Sequence, residues 1–257
     1  MSVSSQMAIH LSHVAKGYGT GKSRTEVLED IDFDVLPGEF LCIIGESGCG
    51  KSTLLQMIAG FEKPSSGEIY SDGEAITGPH FQRSIVFQEG SLLPWLTVEK
   101  NISLGPDIRG ENGTKKERVA QFIELMGLRG FEKHYPAQLS GGMAQRVAIA
   151  RSLINNARIL LLDEPFGALD AFTRMRLQVE LLRIWQQEKL TTVFVTHDID
   201  EAVYLGTRVV VMSARPGRIA RLFNIALRYP RDRTGADFIR LRGLIGKEFL
   251  TLTQQEN

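Results

Sequence analysis

The eight residues Gly45-Glu46-Ser47-Gly48-Cys49-Gly50-Lys51-Ser52 fit the pattern G-x-x-x-x-G-K-[ST]. The pattern constrains both fold and ligand. Its glycines let the backbone curl so that several N–H groups face inward, toward the oxygens of a phosphate. The following residues, Lys51, Ser52 and Thr53, open a helix whose N-terminal dipole favours an anion. In such a loop the lysine reaches the β- and γ-phosphates and the serine hydroxyl ligates Mg²⁺. Cys49 and Glu46 occupy variable positions and need no role of their own. The flanks agree. Phe40–Ile44 is a continuous apolar run, as in a strand buried on both faces, and Leu54, Leu55 and Ile58 recur at helical spacing before Gly60.

The rest of the chain alternates in the same way. Ala8–Ala15 and Val27–Val35 show partial period-two alternation, and Gly67–Ile69 and Ser84–Gln88 are further strand candidates. Apolar strands recur at Ile159–Leu162, Thr192–Thr196 and Arg208–Met212, with a helix over Arg174–Glu188. The stretch from about Glu89 to Asn155 differs. Lys115–Met126 is amphipathic, with Val119, Phe122, Ile123 and Met126 on one face, and Ser140–Leu153 is a second helix. The expected fold class is α/β: a phosphate-loop core with a parallel sheet, an N-terminal antiparallel β region and an inserted helical subdomain over about residues 89–155. One domain spans residues 1–257, with a C-terminal extension over about residues 218–257. From about Tyr229 the chain is more polar and less regular, with a last helix over Asp237–Leu252.

A second chemical feature lies on one of those strands. Ile159–Leu162 ends in Asp163-Glu164. Beside a phosphate loop, an aspartate at such a strand end holds Mg²⁺, and the adjacent glutamate is placed to orient or deprotonate an attacking water. That pair favours a hydrolase over a kinase, which has to keep water from the γ-phosphate.

Leu139-Ser140-Gly141-Gly142-Met143-Ala144-Gln145-Arg146 precedes the acidic strand. Ser140 can cap the helix that follows, and Gly141-Gly142 permit close backbone approach. This octapeptide resembles the signature motif of ABC-type ATPases, and the rest of that family's set follows in order. Tyr18 resembles the aromatic that stacks on adenine. Gln88 resembles the glutamine that links the nucleotide and its Mg²⁺ to the membrane partner. Ala168-Leu169-Asp170 looks like the loop after the acidic strand, and His197 like the histidine that senses the γ-phosphate. The resemblance reaches to about Gly217. Met143 departs from it, because the family often carries Gln there. The resemblance implies ATP and Mg²⁺ as cofactors, with Lys51, Glu164 and His197 catalytic, and with Ser52, Gln88 and Asp163 around the metal. It also implies a homodimer in which the γ-phosphate meets Ser140, Gly141 and Gly142 of a second copy.

Three further stretches, Gly90–Trp95, Phe166–Arg174 and Ser213–Ile219, look like those of ATPase subunits of importers for nitrate, taurine and aliphatic sulfonates. That implies two integral membrane permease subunits, an external solute-binding protein acting through them, and a peripheral place on the cytoplasmic face of the bacterial inner membrane. Leu92–Trp95 is read as part of a groove for a permease helix. Two other readings stand beside this one. The first is the ATPase of an exporter or lipid-transfer system. The second is a non-transport ABC ATPase, whose usual coiled-coil insertion, zinc site or fused second core is not visible here.

Composition bears on partners. Lys plus Arg and Asp plus Glu both total 30. This balance gives nucleic acid no support as the main partner. No apolar run approaches the roughly 18 residues of a membrane span, and Met1–Ala8 lacks the pattern of a signal peptide. The chain is therefore expected to be soluble by itself. The two cysteines, Cys42 and Cys49, form no ligand pair and point to a reducing compartment. His10, His13, His80 and His134 show no ligand or triad spacing.

Overall fold

The computed structural model describes residues 7–19, 21–88, 91–111 and 115–255. Met1–Gln6 of the expected non-signal N-terminus lie outside the described residues. So do Glu89, where the helical stretch was expected to begin, and Gly90 of the Gly90–Trp95 run. The chain divides into two compact units: Met1–His80 with Lys189–Asn257, and Phe81–Glu188.

In the first unit, β1 (Ile9–Tyr18) and β2 (Thr25–Val35) pair antiparallel, and β1 also pairs with β4 (Ser66–Ser71), which continues to the short β5 (Glu74–Ala75). Alternation is incomplete in the sequence because the β1–β2 register shifts three times between Leu11 and Gly17. The second sheet region of this unit centres on β3 (Phe40–Gly45), all six residues of which are buried. It pairs in parallel with β8 (Thr191–Thr196) on one side and β9 (Arg208–Met212) on the other. The edge strand β10 (Ile219–Asn224) runs antiparallel to β9. Sequence reasoning did not assign β10, because its side chains are half-buried or exposed and leave no apolar run. Helices α1 (Lys51–Ala59), α6 (Ile199–Leu205) and α7 (Ala236–Gln255) complete the unit. Gly60 ends α1 in a left-handed conformation, where an added Cβ would lie 2.2 Å from the Gly78 carbonyl oxygen.

In the second unit, β6 (Arg83–Val86) and β7 (Ile159–Asp163) pair in parallel. Its helices are α2 (Val98–Ile108), α3 (Lys115–Leu125), α4 (Gly141–Leu153) and α5 (Ala171–Glu188). Helix α2 was not expected from sequence, because Gly105 and Pro106 fall inside its last turn. Thr97 starts it by accepting a hydrogen bond from the Lys100 N–H. Among the described residues no helix is long and apolar enough to cross a membrane.

Candidate functional site

The phosphate loop joins β3 to α1 in the first unit. Its shape is set by glycines at two positions. Gly48 has φ +83° and Gly50 φ +92°, both left-handed. The two differ in surroundings. A Cβ on Gly48 meets nothing within 4 Å, whereas one on Gly50 would lie 2.6 Å from Cδ2 of the buried Leu28. Gly50 is also the residue before α1, and no side chain caps that helix. The first N–H groups of α1 thus have no side-chain cap, as an anion site at a helix N-terminus needs. Lys51 is 7% exposed, and its ammonium donates to the carbonyl oxygens of Gly45 (2.8 Å) and Glu46 (2.7 Å). Ser52 and Thr53 follow in the first turn of α1, both half-buried.

Cys49 has a structural reason that sequence did not supply. Its side chain is buried beneath the loop, where a Cβ on Gly45 would approach its sulfur to 2.5 Å. Burial pushes its thiol pKa up, so it stays a neutral packing group. Gly217, from the third importer-like stretch, braces the same loop. It exchanges backbone hydrogen bonds with Val27 and Glu29 of β2, and its added Cβ would fall 2.0 Å from the Cys49 carbonyl oxygen. The chain reversal after β9 therefore supports the phosphate loop from behind, and only glycine fits there.

Two more predicted residues lie in this unit. Tyr18 ends β1 and is exposed, with the Lys16 ammonium 4.9 Å from its ring centroid. Lys16 itself is anchored by Glu62 and by the Lys63 carbonyl. His197 is exposed on the turn between β8 and α6. Its neighbours fix that turn. The Thr196 hydroxyl donates to Glu201 (2.7 Å) and accepts from the Asp198 N–H (3.0 Å), and the Asp198 carboxylate caps α6 by accepting from Asp200 and Glu201.

The other predicted residues belong to the second unit. Asp163 is the buried last residue of β7, and Glu164 follows in a left-handed conformation with φ +43°. Such a backbone is costly for a residue with a side chain, and is commonly retained where it aims a functional group. The Gln88 amide nitrogen donates to the Glu164 carboxylate at 3.4 Å, a contact that the sequence did not predict. Ser140 caps α4, its hydroxyl accepting from the Met143 N–H at 3.3 Å. Gly142 sits under the loop after β7, with an added Cβ 3.1 Å from the Ala168 carbonyl oxygen. Asp170 accepts from the Thr173 N–H (3.0 Å) at the start of α5, and that backbone bond holds its carboxyl below the usual range.

Sequence reasoning missed the links that tie α4 to the Gln88 segment. The buried Gln145 donates to the Phe87 carbonyl (3.3 Å), the Ser152 hydroxyl to Ile85 (3.1 Å) and Arg151 to Ser91 (3.0 Å). The acceptors are backbone oxygens, which any residue supplies, so no motif marks them. It also missed Asn101. This fully buried side chain accepts from the Leu93 N–H and donates to the carbonyls of Leu93, Leu96 and Thr97. It thereby shapes the loop that leaves Trp95 69% exposed rather than packed in the core.

The donors expected for Mg²⁺ are a serine hydroxyl, an amide oxygen and a carboxylate, the hard oxygen chemistry this ion takes. Among the described residues no group of three or more His, Cys, Asp or Glu could hold a metal by itself. A nucleotide-borne Mg²⁺ completed by phosphate and water fits such a set.

A family model described as ABC transporter matches residues 28–167. The chain is 49% identical over 243 residues to the aliphatic sulfonates import ATP-binding protein SsuB of Bacillus subtilis (strain 168), covering 95% of this chain and 94% of that protein. The protein of the same name from Bacillus anthracis is also 49% identical, over 95% of this chain and 96% of its own. The solved dimeric structure of a bacterial ABC transporter cassette matches with a TM-score of 0.78 and 34% identity, over 86% of this chain and all of that one. A dimeric post-hydrolysis state of an ATP-binding cassette bound to ADP and Pi matches with a TM-score of 0.77 and 34% identity, over the same 86% of this chain.

Proposed function

The chain belongs to the ABC transporter family, and from that membership we propose that it is the ATP-hydrolysing subunit of a membrane importer for a small sulfonate-type anion. The observation that carries the reading is full-length similarity to import ATP-binding proteins, 49% identity over 95% of this chain. It is supported by the way each motif ends or begins an element. The phosphate loop heads α1, Asp163 closes β7 with Glu164 next to it, and Ser140 caps α4.

On this reading the whole chain acts as one ATPase domain, with residues 89–155 as its helical part and 218–257 as an extension. Tyr18 stacks on adenine. The backbone of residues 45–53 cradles the phosphates, and Lys51 exchanges its two carbonyl partners for β- and γ-phosphate oxygens. Ser52, Gln88 and Asp163 would hold Mg²⁺, which would supply charge neutralisation to the phosphates. Glu164 orients the attacking water and accepts its proton, while Gln88 steadies the carboxylate. His197 contacts the γ-phosphate. Two copies assemble head to tail, and the partner's Ser140, Gly141 and Gly142 complete each site, with Asp170 beside them. Closure on ATP is passed to two permease subunits through the loop after Gln88, where Trp95 offers an exposed aromatic anchor. The chain sits peripherally on the cytoplasmic face of the membrane. The solute, delivered by an external binding protein, passes through the permease and never touches it.

Glu164→Gln tests the chemistry. The amide cannot take the proton, so phosphate release falls by a factor of about 10² to 10⁴ while ATP binding persists. Hydrolysis at the wild-type rate would remove Glu164 as the key group. Turnover per chain falls on dilution below dimerisation; a constant rate would overturn the shared site. Growth of a deletion strain on alkanesulfonates, taurine or nitrate as sole sulfur or nitrogen source identifies the solute.

A further inference from the structure

Between β10 and α7 the chain forms neither strand nor helix, yet this segment holds a heavily bonded cation. Arg231 is 7% exposed. Its Nη1 donates to the carbonyl oxygens of Val203 (2.6 Å), Tyr204 (3.2 Å) and Gly206 (2.7 Å). Its Nη2 donates to Ile225 (3.4 Å) and its Nε to Leu227 (3.2 Å). The guanidinium lies 4.1 Å from the centroid of the Tyr229 ring, and the Tyr229 hydroxyl donates to the remaining carbonyl, that of Leu205, at 2.5 Å. Two side chains thus take every carbonyl from residue 203 to 206, the C-terminal end of α6. All five of these Arg231 acceptors are backbone oxygens. The negative end of the α6 dipole and the Tyr229 ring face supply the compensating field. Burial lowers the guanidinium pKa, but the group keeps its charge.

Helix α6 has seven residues, too few to hold its own shape. Its N-terminal end is fastened by Thr196, Asp198 and Glu201, as described above. Helix α7 adds the Arg242–Asp200 contact (3.5 Å) and passes close to Ile199, whose Cδ1 lies 3.7 Å from an added Cβ on Gly246. His197 stands immediately before the capping residue of this strut.

We propose that Tyr229 and Arg231 are positioning residues for ATP hydrolysis: by clamping the C-terminal end of α6 they hold the His197 turn at its other end in the geometry that turnover requires. The proposal rests on the reading of His197 as a γ-phosphate contact. It gives the segment after β10 a task in the ATPase cycle beyond packing. Neither residue is among those read as nucleotide contacts, so their removal is expected to lower kcat and leave ATP affinity unchanged.

The experiment uses the full-length chain with Arg231→Lys, Arg231→Met, Tyr229→Phe and His197→Ala. Steady-state hydrolysis, ATP binding and the ¹³C-labelled imidazole resonances are measured in each. A misplacement of about 1 Å costs up to roughly 10²-fold in rate. The expected order is therefore a loss of that size in Arg231→Met, a smaller loss in Arg231→Lys, which keeps the charge, and the smallest in Tyr229→Phe. ATP affinity stays within about twofold of wild type, and the His197 resonance shifts or broadens while those of His10 and His13 do not. If Arg231→Met does not fold, the other two variants carry the test. In the His197→Ala background Arg231→Lys adds no further loss, as coupling through one residue demands. An unmoved His197 resonance with reduced kcat, or full activity in both Arg231→Lys and Tyr229→Phe, would overturn the proposal. Wild-type turnover in His197→Ala would instead remove the His197 reading on which it stands.

Discussion

The phosphate loop and the Arg231 clasp, both in the first unit, are cradles of N–H donors built around oxygen. On the proposed reading the loop offers backbone N–H groups to the oxygens of a ligand, and its shape depends on glycines with positive φ at Gly48 and Gly50. The clasp turns side-chain N–H groups toward backbone oxygens of the chain itself. One cradle is specified by residue type at fixed spacing. The other is specified by which carbonyls the fold brings to one guanidinium. Damage to the loop should therefore act on nucleotide directly, whereas damage to the clasp should act only through what α6 carries.

The largest effect expected on the loop side is from Gly50→Ala. The new methyl combines left-handed strain with a 2.6 Å approach to Leu28, together about 1–3 kcal/mol. ATP affinity should fall by about tenfold or more in a fluorescent-nucleotide titration. Gly48→Ala is its control: the same sign of φ in open space should cost only the strain of about 1–2 kcal/mol. Equal losses in the two would show that strain alone sets the loop.

Gly217→Ala comes next. Its methyl meets the Cys49 carbonyl oxygen, a backbone atom that cannot rotate away, so the loop itself must shift. Weakened ATP binding with little loss of folding cooperativity is expected in paired binding and denaturant curves. Unchanged binding would mean that the chain reversal after β9 does not support the loop.

Ser140→Ala probes the second unit. Loss of the cap should cost about 1 kcal/mol in denaturant unfolding. Turnover should fall more than stability predicts if, as proposed, the same residue is offered to a second copy's nucleotide. A fall in stability alone would leave Ser140 as a plain cap.

The smallest effect concerns pH. The folded-state pKa of Asp170 is depressed by the Thr173 N–H. Its contribution is therefore present above the ordinary carboxylate pKa and lost as pH falls through the depressed value. The melting-temperature gap between wild type and Asp170→Ala should be widest near neutrality and narrow in acid. A gap independent of pH would mean that the carboxylate charge is irrelevant to the cap.

How legible each feature was follows from what specifies it. Gly45–Ser52, Asp163-Glu164 and Ser140–Gly142 could be found because their chemistry needs those residue types at those spacings. Arg208–Met212 was placed correctly as a strand because its buried part, Val209–Met212, is continuously apolar. Strand β10 was not, because an edge strand keeps solvated side chains. Helix α6 escaped because seven residues give too few turns for a period to emerge. Cys49 looked like a variable position, and only packing against Gly45 explains its burial.

The sequence by itself determined the ligand chemistry, the buried core strands beside the phosphate loop and the family, since these rest on local spacing and side-chain identity. The tertiary structure alone decided three other features. It set Gly217 behind the phosphate loop, bound Gln145, Arg151 and Ser152 to the Gln88 segment, and closed Tyr229 and Arg231 on the end of α6. In each the partner is a main-chain atom distant in sequence. Every residue has that same atom, so the sequence carries no mark of the pairing until the chain is folded.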